Sequence, residues 1–301
     1  MKNFWKATII PGLCCIFAGA VLAVILAVGF SDELMKHANE FIINEDNFFE
    51  YFDVHEVSIN RTNDDASYYF EVQEMEAVSG LHFEVAVGEV EIRTGDTMEI
   101  TVVDMYENAI TSEVRNGIWY IEDSLINNGK VNSDYSPEIT ITIPENMSYD
   151  SVEIYLAAGI MEADELAGEK VSLEVDAGSL KIYNLRAEEA LTLKNGVGEI
   201  RVYDAMAANL SVDNGIGAVD ICGNISGHNT VKCGIGEVKV SLTDRNKVDF
   251  NYSVDCGIGE VEIDGRSYQG NSENLSYDRS EADYFELDCG IGHIEINISG
   301  N

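Results

Sequence analysis

Positive charge is what this chain most lacks. Eighteen lysines and arginines stand against 54 aspartates and glutamates in 301 residues, a formal net charge of −36. Nucleic-acid binding needs a basic footprint, and anionic lipid head groups are held by basic segments, so neither partner suits this surface. An acidic surface keeps a protein soluble, which is the simplest reason for it, and draws in cations or basic partners.

Catalytic signatures are also missing. The sequence contains no G-x-S-x-G elbow, no H-E-x-x-H, no phosphate-binding loop and no dinucleotide fingerprint. Its glycine phrases lead into strand-like residues, whereas a phosphate loop opens a helix. The five histidines, His37, His55, His82, His228 and His293, are scattered, and no C-x-x-C pair exists. Carboxylates are so common that no pair stands out as a glycan-cleaving couple. Glu199, Glu237 and Glu260 share one repeat position, but bases interleave with the acids of nearby positions and would repel calcium. The sequence therefore nominates no catalytic, cofactor-binding or metal-binding residue, no cofactor and no small-molecule substrate, and the chain reads as a non-enzyme.

What the chain has is a repeated phrase. It runs LEVDAGSLKI from Leu173, LTLKNGVGEIRV from Leu191, LSVDNGIGAVDI from Leu210, TVKCGIGEVKV from Thr230, YSVDCGIGEVEI from Tyr252 and FELDCGIGHIEI from Phe285. A weaker copy starts at Ile154 and an outlying one, FEVAVGEVEI, at Phe83. The central glycines Gly159, Gly178, Gly198, Gly217 and Gly236 are spaced by 19, 20, 19 and 19 residues; Gly259 and Gly292 follow after 23 and 33. Around each glycine, apolar residues alternate with polar ones, as in Ile200 and Val202 or Val219 and Ile221. A period of two is a half-buried strand, and a repeat near 20 residues is a solenoid whose coils cannot bury their apolar face alone. The fold class is all-β: a parallel β-solenoid with glycine at a bend of every coil.

Charge sets the expected register. Residues before the bend run Asp176, Lys194, Asp213, Lys232, Asp255, Asp288; those after it run Lys181, Arg201, Asp220, Lys239, Glu262, Glu295. Unlike charges alternate through most of both series, as stacked neighbours about 4.8 Å apart would favour. The expected stack follows chain order. Cys233, Cys256 and Cys289 occupy one position, held earlier by Asn195 and Asn214. They are expected to be small packed thiols, close enough that a single disulfide among them is geometrically open.

Ile9 to Phe30 carries no charge, is preceded by Lys2 and Lys6 and followed by Asp32 and Glu33. Some 20 such residues span a bilayer as a helix, and the lysines predict a cytoplasmic N-terminus; the rival reading is a cleaved signal peptide processed at Ala27 and Gly29, for which the apolar run is long. The organisation read from the sequence is a cytoplasmic stub and transmembrane helix over 1–30, an acidic juxtamembrane segment and cap over 31–80, and the solenoid over 81–301. Within the solenoid, 97–153 is less regular, with strand-like MEITVVDMY, IWYIED and EITITIPEN, the last ended by Pro144. Gly265 to Tyr284 is polar and reads as a surface loop. The aromatic run Phe48 to Phe52 reads as a cover for the first coil.

The phrases DNGIGAVDI, CGIGEVKV and CGIGEVEI, with the EIRTGDTMEITV segment and the N-terminal anchor, resemble a bacterial putative-adhesin family of β-strand-repeat proteins of unknown function. The resemblance spans roughly residues 81–298. It implies a right-handed β-solenoid and a membrane-associated role, and it supplies no catalytic residues. Two expectations follow: an extracytoplasmic, adhesin-like protein that binds another protein or a cell-wall component, or an accessory regulator of envelope stress acting through a membrane partner. If the lysines set the topology, protease added to intact protoplasts should digest residues 31–301; full protection there would refute it.

Overall fold

Alternation and glycine bends build coils, and β8 shows how. It runs Leu210–Ser226. Leu210, Val212 and Asn214 point inward on its first arm, Gly215 to Gly217 make the corner, and Val219 and Ile221 point inward on the second. Gly217 has φ +136, and a Cβ there would overlap the backbone carbonyl oxygen of Gly198 in the coil beneath. No L-residue side chain fits between coils at that corner, so glycine is required both for space and for the positive φ.

The computed structural model describes residues 66–73, 75–105, 109–125, 136–274 and 283–299, all within the second of two units, Glu56–Asn301. The anchor expected at 1–30, the run Phe48 to Phe52, His37 and His55 lie outside the described residues. Among the described residues no helix is long and apolar enough to cross a membrane.

The strands are β1 (Ala66–Glu71), β2 (Gly80–Gly95), β3 (Glu99–Met105), β4 (Ile110–Arg115), β5 (Ile118–Asp123), β6 (Glu138–Pro144) and β7 (Tyr149–Ala208), which alone winds through three repeats. They continue as β8, β9 (His228–Leu242), β10 (Asn251–Cys256), β11 (Glu260–Ile263), β12 (Arg266–Tyr268), β13 (Ser272–Asn274) and β14 (Tyr284–Ile298). The described fold is all-β, with stacked parallel coils around one apolar core of Val, Ile, Leu and Phe. Neighbouring coils pair in register: Gly198 lies opposite Gly217, and Gly217 opposite Gly236. The outlying phrase at Phe83 belongs to the same stack, since β2 pairs in parallel with β7 and Gly88 lies opposite Gly159.

Two expectations about stacking are corrected. Counted back from the corner glycines, the place of Lys194 and Asp213 is held in the coil beneath by Glu174, which bridges to Lys194, and not by Asp176, whose backbone lies against Gly196. Nor do coils stack in chain order throughout. β14 lies between β9 and the β10–β11 coil, so the corner glycines run Gly88, Gly159, Gly178, Gly198, Gly217, Gly236, Gly292, Gly259. Lys232 therefore faces Asp288, and Lys239 faces Glu295. Charge could not reveal this, because Asp255 and Glu262 carry the same sign as the residues that displace them. The connection from β11 to β14 leaves the chain free to pass over one layer and return. It is also more than the surface loop expected of Gly265 to Tyr284: it supplies β12, antiparallel to β11, and β13, antiparallel to β10.

The other end is built the same way. β2 is not terminal: β5 and β6 lie outside it, both parallel to it, with β4 antiparallel on β5 and β3 antiparallel on β6. β1 then pairs with β3, so strand structure begins before residue 81. Two-residue turns with positive φ at both positions close each end: Asn116 (φ 51) with Gly117 (φ 79), and Asp264 (φ 47) with Gly265 (φ 75). These are the dipeptides such hairpins favour. Pro144 closes β6 at its last residue, where little of the ladder is lost.

Arg245 locks the inserted strand. Its guanidinium donates to Asp249 at 2.8 Å, to the Ile225 carbonyl at 2.9 Å and to Asp283, while Asp283 accepts from the Gly227 N–H at 2.6 Å. At the opposite end Asp123 is buried and accepts from the backbone N–H groups of Leu125 (2.9 Å) and Ala86 (3.2 Å). Desolvation outweighs those two bonds and pushes its carboxyl up to about 6.

Three outcomes follow. Gly217→Val should destabilise the protein by at least about 4 kcal/mol, seen as loss of the cooperative thermal transition, because the corner cannot relax without moving a whole coil. Ala218→Lys should raise stability by about 0.3–1 kcal/mol, since Ala218 lies between Glu199 and Glu237. Asp123 binds its proton more tightly folded than unfolded, so its contribution is full below its unfolded pKa near 4 and is lost as pH rises through about 6. In chemical denaturation across that window, wild type should lose on the order of 3 kcal/mol relative to Asp123→Asn; parallel profiles would overturn the assignment.

Candidate functional site

Most cations in the described solenoid are committed to carboxylates. Lys181 reaches Glu162 at 2.6 Å, Lys194 reaches Glu174 at 3.0 Å, and Lys239 reaches Glu295 at 3.2 Å; Arg201 pairs with Glu199. Lys170, Arg93, Arg115 and Arg245 are paired as well. Among the described residues Arg186, Lys232, Lys247 and Arg266 make no ion pair. Arg186 and Lys232 stand apart on the flanks. Lys247 and Arg266 converge on one cleft.

That cleft, about 370 Å³, lies at the Gly259 end of the stack, between the connection that follows β9 and the β11–β12 hairpin. Ile263 and Tyr252, both buried, belong to its lining. The Tyr252 and Tyr268 hydroxyls lie 2.7 Å apart, their rings edge-on with centroids 5.5 Å apart. Asn246, Lys247, Asp264 and Arg266 are exposed around them. The Asp264–Gly265 turn folds Arg266 and Tyr268 back over β11, with Ile263 opposite Arg266 and Val261 opposite Tyr268. Two cations without an ion pair among the described residues, two phenols, an amide and a carboxylate make a mainly polar lining that can hold an anionic group together with neighbouring hydroxyls. Sequence reading passed over this cleft because Gly265 to Tyr284 looked like loop; the Asp-Gly dipeptide between VEI and RSY was the signal for a hairpin.

A second exposed feature sits mid-stack. Tyr183 and Tyr203 stack at 5.3 Å between ring centroids with 11° between planes, each 44% exposed, and Met206 is 55% exposed. The Tyr ladder stops there: Tyr203 lies in the register shift between the Val202–Ile221 and Ala205–Gly223 pairs, where the next coil has only Cys222.

Residues singled out in the sequence fall as follows. Glu199, Glu237 and Glu260 do not adjoin. The column reads Glu199, Ala218, Glu237, His293, Glu260. His82 lies elsewhere, bonded to Glu84 (3.2 Å) and Glu153 (3.1 Å). The cysteine column points inward, in the spatial order Cys233, Cys289, Cys256, so Cys289 rather than Cys256 is central. It continues an asparagine ladder in which the Asn195 amide donates to Asn214 at 2.7 Å and to the Gly198 carbonyl at 3.1 Å. All three cysteines are free and buried. Burial, with Cys233 and Cys256 alongside, pushes the Cys289 thiol up to about 12, and burial likewise raises Cys233. Neutral thiols of this kind are poor nucleophiles. In a Cys14→Ser, Cys15→Ser background, Ellman's reagent should titrate half-buried Cys222 alone until denaturant is added; early reaction of a second thiol would contradict the packed column.

Residues 55–283 match the Toastrack DUF4097 family, a span that ends one residue before β14. No curated protein matches the chain. Among solved structures, a protein of Clostridium sporogenes described as a "putative cell adhesion protein" is 16% identical, covering 78% of this chain and 100% of its own, with a TM-score of 0.37. A "putative adhesin" of Bacteroides fragilis is 15% identical over 78% of this chain and 98% of its own, with a TM-score of 0.37. A "putative lipid binding protein" of Parabacteroides distasonis is 15% identical over 78% and 97%, with a TM-score of 0.38.

Proposed function

This chain belongs to the Toastrack DUF4097 family, and on that premise we propose that it is a non-catalytic, membrane-anchored protein of the cell envelope whose extracytoplasmic solenoid, acting in an adhesin-like way, binds a cell-wall component at its terminal cleft. The observation that carries this reading is the meeting of Lys247 and Arg266, both without an ion pair among the described residues, on a cleft that also presents the Tyr252 and Tyr268 hydroxyls. A chain so poor in bases leaves two of them uncommitted in one place. The occupant that fits is a single carboxylate or phosphate monoester carried on a sugar or short peptide. A long polyanion is disfavoured by the net charge of −36, which repels it before it reaches the cleft. The tyrosines offer ring edges and hydroxyls to the neutral part of such a fragment. The anchor in this reading is the uncharged segment Ile9 to Phe30, with Lys2 and Lys6 on its cytoplasmic side.

Full-length protein in detergent micelles, titrated with muropeptides from digested cell wall, should bind a carboxylate-bearing fragment, with affinity falling as salt rises. Lys247→Ala with Arg266→Ala should weaken binding at least about tenfold while leaving the melting temperature unchanged, since neither side chain is buried or has an ion pair among the described residues. Chromatography of the fragments after incubation should show no cleavage product. Binding that survives the double substitution would remove the cleft from the proposal, and cleavage would overturn the non-catalytic reading.

A further inference from the structure

Insertion of β14 between β9 and the β10–β11 coil brings together residues far apart in the chain. His293 lands opposite Glu237 on one side and Glu260 on the other. Glu295 follows two residues along β14, on the same outward face. One ligand atom each from Glu237, His293 and Glu295 lie within 4.8 Å of one another. The His293 ring makes no hydrogen bond or ion pair among the described residues, although carboxylates stand on either side of it. Its situation differs from that of His82, whose two ring nitrogens are both taken by glutamates.

We propose that Glu237, His293 and Glu295 form a binding site for a divalent transition-metal ion of the zinc class, with the imidazole giving the nitrogen ligand and the two carboxylates the oxygens. Donor chemistry selects the metal. Calcium and magnesium take oxygen ligands, whereas a neutral imidazole with two carboxylates suits zinc, cobalt or nickel. Ligands about 2.0–2.1 Å from a tetrahedral ion stand about 3.4 Å apart, so side-chain rotations alone would close the set. Glu295 is already oriented: the Asn297 amide donates to its Oε1 at 2.7 Å, the kind of outer bond that fixes a metal-ligating carboxylate. Burial raises the Glu295 carboxyl, but Asn297 and Lys239 outweigh it and hold it below the ordinary carboxylate range.

Lys239 is the competitor. Its ammonium sits 3.2 Å from Glu295 Oε2 and must move aside, toward Asp220 in the coil beneath, for the ion to bind. The site joins β9 to the last strand, so an ion there would also pin β14 in its slot. The terminal cleft plays no part in this inference.

The test uses untagged full-length protein in micelles, stripped with chelator. Zinc titrated by calorimetry should occupy a single site per chain, cobalt should give the visible absorption of a low-symmetry site, and zinc should raise the melting temperature. His293→Ala should weaken zinc at least about tenfold and abolish the cobalt spectrum, and Glu237→Gln should weaken zinc by a similar factor. Lys239→Met should act in the opposite sense and tighten zinc, because it frees Glu295. Calcium at the same concentrations should not compete. No binding by wild type, binding unchanged in His293→Ala, or weaker binding in Lys239→Met would each overturn the site. Unchanged metal-free melting of His293→Ala and Glu237→Gln would tie their losses to the ligands rather than to the fold.

Discussion

At the corner of every coil a backbone carbonyl occupies the space where the next coil would carry a Cβ. Gly159 sits on the carbonyl of Gly88, Gly178 on that of Gly159, and the pattern runs through Gly198, Gly217 and Gly236 to Gly292. That close approach lets the arms on both sides of the corner pair in register over several coils. With the corners superimposed, alternate residues fall into columns: apolar ones inward, charged ones outward. A side chain at one corner would separate two layers along both arms, so the constraint acts on the whole stack.

A stack of identical coils has an unsolved problem at its ends, where unpaired strand edges invite association. Both ends here are handled alike. The first and last phrases of the repeat, in β2 and β14, sit one layer inside the terminal coil, and the chain between covers the outside. Antiparallel β4, β3 and β1 close one end, β12 and β13 the other. Because the terminal layers come from segments that loop out and return, the surface at the Gly259 end has features no internal coil has. The Lys247–Arg266 cleft and the His293 column both arise there.

Scarcity of bases gives the charge pattern its meaning. Lys181, Lys194 and Lys239 each bridge to a carboxylate of an adjoining coil, and Arg245 ties β14 to the segment before β10. Exposed pairs of this sort stabilise by at most about 1 kcal/mol each, but they disfavour wrong registers, where acid would meet acid. Against that background the two uncommitted bases at one cleft carry the functional reading.

The repeat, the inward face of each arm, the glycine corners and most of the alternating charge columns were legible from the sequence, because each depends on residues at a fixed spacing within one or two coils; the exception is Asp176, whose expected place opposite Lys194 is held by Glu174. Val219 and Ile221 are buried whichever coil lies above them. The order Gly236, Gly292, Gly259 was not legible, because Asp255 and Asp288, and Glu262 and Glu295, carry the same charge at the same repeat position, so either coil sets an acid opposite Lys232 and Lys239. Nor was the meeting of Lys247 with Arg266 across a hairpin, or of Glu237 with His293 at 56 residues' separation, a juxtaposition set by the strand pairing. Local spacing determined what each coil is made of. Which coil lies on which was decided by the tertiary structure, because a long connection permits either order and only the closure of the end selects one.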